Sequence, residues 1–200
     1  MTLYDFSVRV VLAPLLKTVW RIEAMGVRNV PMRGPLIVAA NHASYLDPVA
    51  LGVACPRRIS YLAKAELFRI PVLGRYMTAV HAYPVERGVK TSTRAAIKKS
   101  VEILREGRAV GIFPQGQRVV EGEGESKAGV ALLASLASAP VVPAYISGTK
   151  DAMRLHQIKV CFGNPISLPA GRKATRSEIA KFTQDVMAAI RELRESVHAN

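Results

Sequence analysis

The stretch "LIVAANHASYLDPVALGVA", Leu36 to Ala54, passes from an unbroken apolar pentad through a polar turn into a second apolar run. "LIVAA" reads as a strand buried on both faces. "DPVALGVA" reads as a helix opened by Asp47, with Pro48 in its first turn, where the missing N–H has no partner to lose. A strand handed straight to a helix is the repeating unit of an α/β sheet. His42 follows the carboxyl end of that strand, the edge at which such sheets bind ligands.

Outward from this unit the alternation continues. "RISYLA" reads as a strand, "IPVLGRYMTAV" as a short helix, "HAYPVER" as a strand ending on a basic residue, and "TSTRAAIKKSVEILREG" as a helix with Thr or Ser at its cap and Gly107 past its end. "AVGIF" is a strand, "KAGVALLASLA" a helix, "PVVPAYI" and "IKVCFG" strands, and a charged helix closes the chain from about Ser177 to His198. The expectation is one α/β domain, a central, mostly parallel or mixed sheet flanked by helices. Residues 3–21 are apolar with scattered basic residues, and Tyr4 and Trp20 stand near the two ends, so residues 1–25 read as an amphipathic membrane-associating segment that Pro14 kinks. The alternative is a first helix packed on its own domain.

Two hundred residues, 50% of them hydrophobic, suffice for one sizeable core. The net charge of +13 suits an anionic partner: nucleic acid, lipid headgroups or an acidic carrier protein. Nucleic acid is disfavoured, because no recognition motif accompanies the charge and aromatics make up only 6%. Cys55 and Cys161 have no neighbouring ligand pattern, so neither a metal site nor a disulfide framework is expected. The longest uncharged run, the eighteen residues Val130–Ser147, holds two prolines and changes period from helix to strand. It reads as a buried helix and strand, since a membrane span needs about 20 apolar residues.

The chemistry begins in "NHASYLDP". An aspartate five residues after His42 can fold back across a tight turn and hydrogen-bond the imidazole, fixing its tautomer while the ring removes a proton from a hydroxyl. Equally, Asp47 can serve only to cap the helix that Pro48 begins, with His42 an ordinary turn residue. Ser44 lacks the glycine-flanked elbow of a hydrolase nucleophile, so a basic His42 would act directly on an acceptor hydroxyl. In "GIFPQGQR", Gly116 permits close backbone approach and Arg118 offers a fork of donors suited to phosphate. Arg87 in "YPVERG" and Lys64 in "YLAKAEL" end two further strands. Together they suggest a phosphate pocket beside the His-Asp pair. His81, His156 and His198 show no such company.

With these four blocks in order, the sequence resembles the glycerolipid acyltransferases, and most closely the bacterial lysophosphatidic acid (1-acyl-sn-glycerol-3-phosphate) acyltransferases. "NHASYLDP", "YPVERG", "GIFPQGQR" and "PVVPAYISG" are similar to the family's first to fourth blocks, and "GNPI" from Gly163 is also familiar. The resemblance implies that His42 is the general base and that Asp47 orients it. It implies that Lys64, Arg87, Gln115, Gly116 and Arg118 bind the acceptor, and that the attack falls on the thioester of acyl-CoA or acyl carrier protein. No metal or bound cofactor is implied. The expected setting is the cytosolic face of the plasma membrane, with the lysophospholipid and an anionic bilayer as partners. The third block departs from the usual Phe-Pro-Glu-Gly-Thr-Arg: Gln115 replaces the acid and Gln117 the threonine. A Gln keeps the shape and hydrogen bonding of Glu without its charge. Other acceptors, such as a lyso-ornithine lipid or glycerol phosphate, share the same chemistry, and a non-catalytic lipid-binding module stands as the alternative of a different class.

Overall fold

The computed structural model describes residues 13–79, 82–85, 90–115, 129–151, 155–169 and 174–199. Helix α1 (Ala13–Val19) leads into strand β1 (Glu23–Met25), then β2 (Leu36–Ala40) and helix α2 (Asp47–Ala54). Strand β3 (Ile59–Lys64) is followed by the short helices α3 (Ala65–Phe68) and α4 (Pro71–Ala79) and by β4 (Ala82–Val85). Helix α5 (Lys90–Arg105), β5 (Ala109–Ile112), α6 (Gly129–Ala137), β6 (Val141–Ser147), β7 (Lys159–Phe162) and α7 (Arg176–His198) complete the order. The seven strands form one sheet in the order β1-β7-β6-β2-β5-β3-β4, parallel throughout except where β6 meets β7. The mixed sheet flanked by helices is the architecture the alternation predicts.

Strand β2 lies in the middle, and all five of its residues are fully buried. Its period of two sends Leu36, Val38 and Ala40 to one apolar layer and Ile37 and Ala39 to the other. Strands of this kind read as continuous hydrophobic runs because both faces are covered. The first layer holds Ala50, Leu51 and Ala54 of α2; the second holds Val101, Ile103 and Leu104 of α5, Val130 and Leu133 of α6, and Phe182, Val186 and Ile190 of α7. Helix α7 keeps that face inward through buried residues four apart and starts in a capping box, with Thr175 and Glu178 each bonding the other's backbone N–H.

Helix α2, next after β2, packs in one apolar layer, and α6, the next described helix after its neighbour β5, packs in the other. Adjacent parallel strands whose connections depart to opposite faces open a crevice at their carboxyl ends. His42 follows one of these strands and Gln115 the other.

Several local expectations are adjusted. Helix α5 begins at Lys90, so Thr91 lies inside it, while Gly107 takes the left-handed conformation (φ 71°) past its end. Pro14 is the second residue of α1, and the chain ahead of Ala13 lies outside the described residues. Among the described residues no helix is long and apolar enough to cross a membrane. Val130–Ser147 is a buried helix and a strand, as its change of period indicates.

Candidate active site

The turn after β2 is organised around one carboxylate. Asp47 is completely buried, and its Oδ2 accepts hydrogen bonds from His42 Nδ1 at 2.9 Å, from the Ala43 N–H at 2.6 Å and from the Ser44 N–H at 2.7 Å. Its Oδ1 accepts from the Thr149 hydroxyl at 2.6 Å. These amides lie upstream of the helix, and no side chain caps the N-terminus of α2. The capping role is thus not what Asp47 performs; its oxygens fold back over the turn, which is closed by the Asp47 N–H donating to Ser44 O at 3.3 Å.

A carboxylate can only accept, so the imidazole hydrogen in this bond sits on Nδ1, and in the neutral ring it is then Nε2 that carries the lone pair a general base requires. The ring is also held from the side, stacked on Phe113 with centroids 4.2 Å apart and planes 23° apart. Phe113 in turn stacks at 6.5 Å on Tyr61 of β3. Gly111 makes room for this arrangement: a Cβ there would fall 2.5 Å from the Tyr61 ring.

Backbone anchors hold the turn to the neighbouring strands. Gln115 Oε1 accepts from the His42 N–H at 3.1 Å, joining the third block to the first across the crevice. Asn41 closes a two-way amide pair with Ile146 of β6, donating to its carbonyl at 2.9 Å and accepting from its N–H at 2.7 Å. The Ser44 hydroxyl accepts from Leu46 N–H at 3.2 Å, a turn-closing contact.

Of the residues singled out in the sequence, His42, Asp47 and Gln115 are brought together. Lys64 is the last residue of β3, opposite Val85 of β4 and separated from β2 by β5. Arg87, Gly116 and Arg118 lie outside the described residues, as does His81. His156 is exposed in a loop, and His198 has a partner the sequence did not suggest, Tyr145 Oη at 3.3 Å on the surface. Cys55 is buried, and burial pushes the Cys161 thiol up from its ordinary range, away from the reactive thiolate. Sequence reasoning missed Asn41, Phe113 and Thr149. The first two sit inside the quoted blocks, and Thr149 follows the fourth block directly.

The chain is 29% identical over 181 residues to the 1-acyl-sn-glycerol-3-phosphate acyltransferase of Bacillus subtilis, covering 88% of this chain and 89% of that protein. It is 27% identical over 164 residues to the enzyme of that name from Streptococcus pneumoniae, covering 80% of this chain and 60% of that protein. The fold is that of the 1-acyl-sn-glycerophosphate acyltransferase of Thermotoga maritima, with a TM-score of 0.69 at 24% identity, over 94% of this chain and 80% of that one. The Acyltransferase family model matches residues 21–147, from the end of α1 to the end of β6, and the chain belongs to that family.

Proposed function

We propose that this acyltransferase moves a fatty acyl group from acyl-CoA or acyl carrier protein to the free hydroxyl of lysophosphatidic acid, giving phosphatidic acid. The observation that carries the reading is the His42 ring, held on Nδ1 by a buried carboxylate and leaving Nε2 to act as base. The names of the Bacillus and Streptococcus relatives support the acceptor.

In the reaction Nε2 takes the acceptor's hydroxyl proton as the hydroxyl oxygen bonds to the thioester carbonyl carbon. The carbon–sulfur bond then breaks, and the imidazolium returns the proton to the departing thiolate. Asp47 stabilises the imidazolium between these steps without itself taking the proton. No acyl-enzyme forms, in keeping with a Ser44 hydroxyl engaged in its own turn. Lys64, Arg87 and Arg118, with the Gly116 backbone, hold the acceptor phosphate, and Gln115 holds the turn from which His42 projects. The enzyme works as a peripheral or monotopic protein on the cytosolic membrane face, where residues 1–25 and the positive surface meet anionic lipid, and residues 26–200 carry the catalysis.

The test is transfer of a labelled acyl group to lysophosphatidic acid in mixed micelles from each donor in turn, with the native chain and with His42→Ala. The native chain is expected to form phosphatidic acid, and His42→Ala to lose at least about a hundredfold in kcat, the lower range for removal of a general base. Native activity only toward other lysolipids would replace the acceptor. Silence on every acceptor would favour a lipid-binding module.

A further inference from the structure

We infer that Thr149 is a positioning residue of the catalytic pair: its hydroxyl locks the plane of the Asp47 carboxylate and thereby the direction in which His42 presents Nε2. The inference rests on the acyl-transfer reading for its kinetics, but not for its geometry.

Three donors converge on Oδ2 of Asp47: His42 Nδ1, Ala43 N–H and Ser44 N–H. A carboxylate turns easily about its last side-chain bond, because that torsion is broad and roughly two-fold. The two oxygens turn together about that bond, so donors gathered on Oδ2 hold the plane at one end only. Thr149 holds it at the other. Its hydroxyl is 2.6 Å from Oδ1, the short distance of a hydrogen bond to an ionised acceptor, and Thr149 is itself only 3% exposed. With both oxygens bonded, the carboxylate plane is fixed at both ends.

The placement of Thr149 depends on its neighbours. Gly148 turns the chain at the end of β6 with φ 82°, and a Cβ there would lie 2.2 Å from the Gln157 carbonyl oxygen. Only glycine takes that conformation without strain in that space. Three residues before Thr149, Ile146 is clasped in both directions by the Asn41 amide at the foot of the His42 turn. The end of β6 is therefore fastened to the catalytic turn twice, once through Asn41 and once through Asp47. The fourth block thus has a mechanical part in the site, delivering a hydroxyl to the carboxylate that orients the base.

A buried threonine that only satisfies its own hydroxyl predicts a loss of stability and nothing else. The experiment compares Thr149→Val, Thr149→Ala and Thr149→Ser by steady-state acyl transfer to lysophosphatidic acid and by the low-field proton resonance of His42 Nδ1 in the substrate-free protein. Thr149→Val and Thr149→Ala are expected to lose about 10- to 100-fold in kcat with KM held within about threefold, the usual size of effect for removing an orienting outer partner. Their Nδ1 resonance should shift upfield or broaden away, while Thr149→Ser keeps both the resonance and at least about a third of native kcat. If Thr149→Val does not fold, the Ala and Ser variants still differ by the hydroxyl alone. Native kcat in a folded Val or Ala variant, equal losses in Ser and Ala, or a loss carried by KM would each overturn the inference. The resonance separates it from the reaction assignment. A native chain inactive toward lysophosphatidic acid whose resonance responds to Thr149 overturns the acceptor alone. An active chain whose resonance ignores Thr149 overturns the positioning role alone.

Discussion

A buried aspartate has to be surrounded by donors, because an ionised carboxylate left unpaired in an apolar interior costs several kcal/mol. Asp47 meets that demand with two amides of its own turn, one imidazole and one hydroxyl from a distant strand end. The local part was legible in the sequence: a histidine and an aspartate five apart around a short turn can pair, and they do. The choice between pairing with His42 and capping the helix was not legible, because both use the same residues. It turned on whether the carboxylate faces back over the turn or forward into the helix. Thr149 was invisible for a different reason, since it lies 102 residues from Asp47 and meets it only through strand order. Gln115 also gains a definite contact, the N–H of His42, where the sequence suggested a substrate role. A glutamate could accept the same N–H, so Gln115→Glu is expected to keep the fold. The added negative charge beside the proposed phosphate pocket should raise KM for lysophosphatidic acid severalfold with a smaller change in kcat; identical kinetics across a series of anionic and zwitterionic acceptors would show that the charge is not felt.

At the scale of elements, the apolar runs announced themselves and the short pieces did not. Strand β2 was readable because five consecutive buried residues leave no other place for them. Strand β1 has three residues, Glu23–Met25, and owes its existence to pairing with β7, so nothing in its own composition marks it. Helix α3, four residues long, is below the length at which periodicity can be read. One element-level feature carries over into the site. Gly111 lets the Tyr61 ring lie against β5, with Ile59 Cγ2 at 2.7 Å from where a Cβ would be. Gly111→Ala should therefore destabilise the protein by about 1–3 kcal/mol, the cost of overpacking. It should also lower kcat, because Tyr61 backs Phe113 and Phe113 backs His42. Thermal unfolding followed together with acyl transfer checks both, and a variant that melts as the native protein does would show that the strand relaxes freely.

Across the whole molecule, the loops at the amino-terminal edge of the sheet are joined by a cation. Arg57, 9% exposed, donates to the carbonyls of Pro31, Gly34 and Gly107, which belong to the loops entering β2 and β5. Burial lowers its pKa from the ordinary guanidinium value, yet so basic a group stays charged throughout the usual pH range. Arg57→Met keeps much of the length but strands three carbonyls, and a loss of about 3 kcal/mol or more is expected in denaturant unfolding. Nothing in the sequence singles out this arginine among twenty-eight basic residues, because its three partners are backbone atoms. The overall charge of +13, by contrast, is read directly and has a direct consequence. Binding to vesicles containing anionic lipid should weaken steeply between about 50 mM and 500 mM salt as the Debye length shrinks, and sedimentation that ignores salt would assign membrane attachment to apolar insertion instead.

The two fastenings between the catalytic turn and the end of β6 also impose an order on the making of the protein. Asn41 and Asp47 leave the ribosome about 100 residues ahead of Ile146 and Thr149, which at about 5–20 residues per second is a wait of roughly 5 to 20 seconds. During that interval the nascent chain holds its His42–Asp47 turn without the strand that anchors it. A chain cut short before Ile146 stays in that condition permanently, carrying the His42–Asp47 turn without the strand end that fastens it.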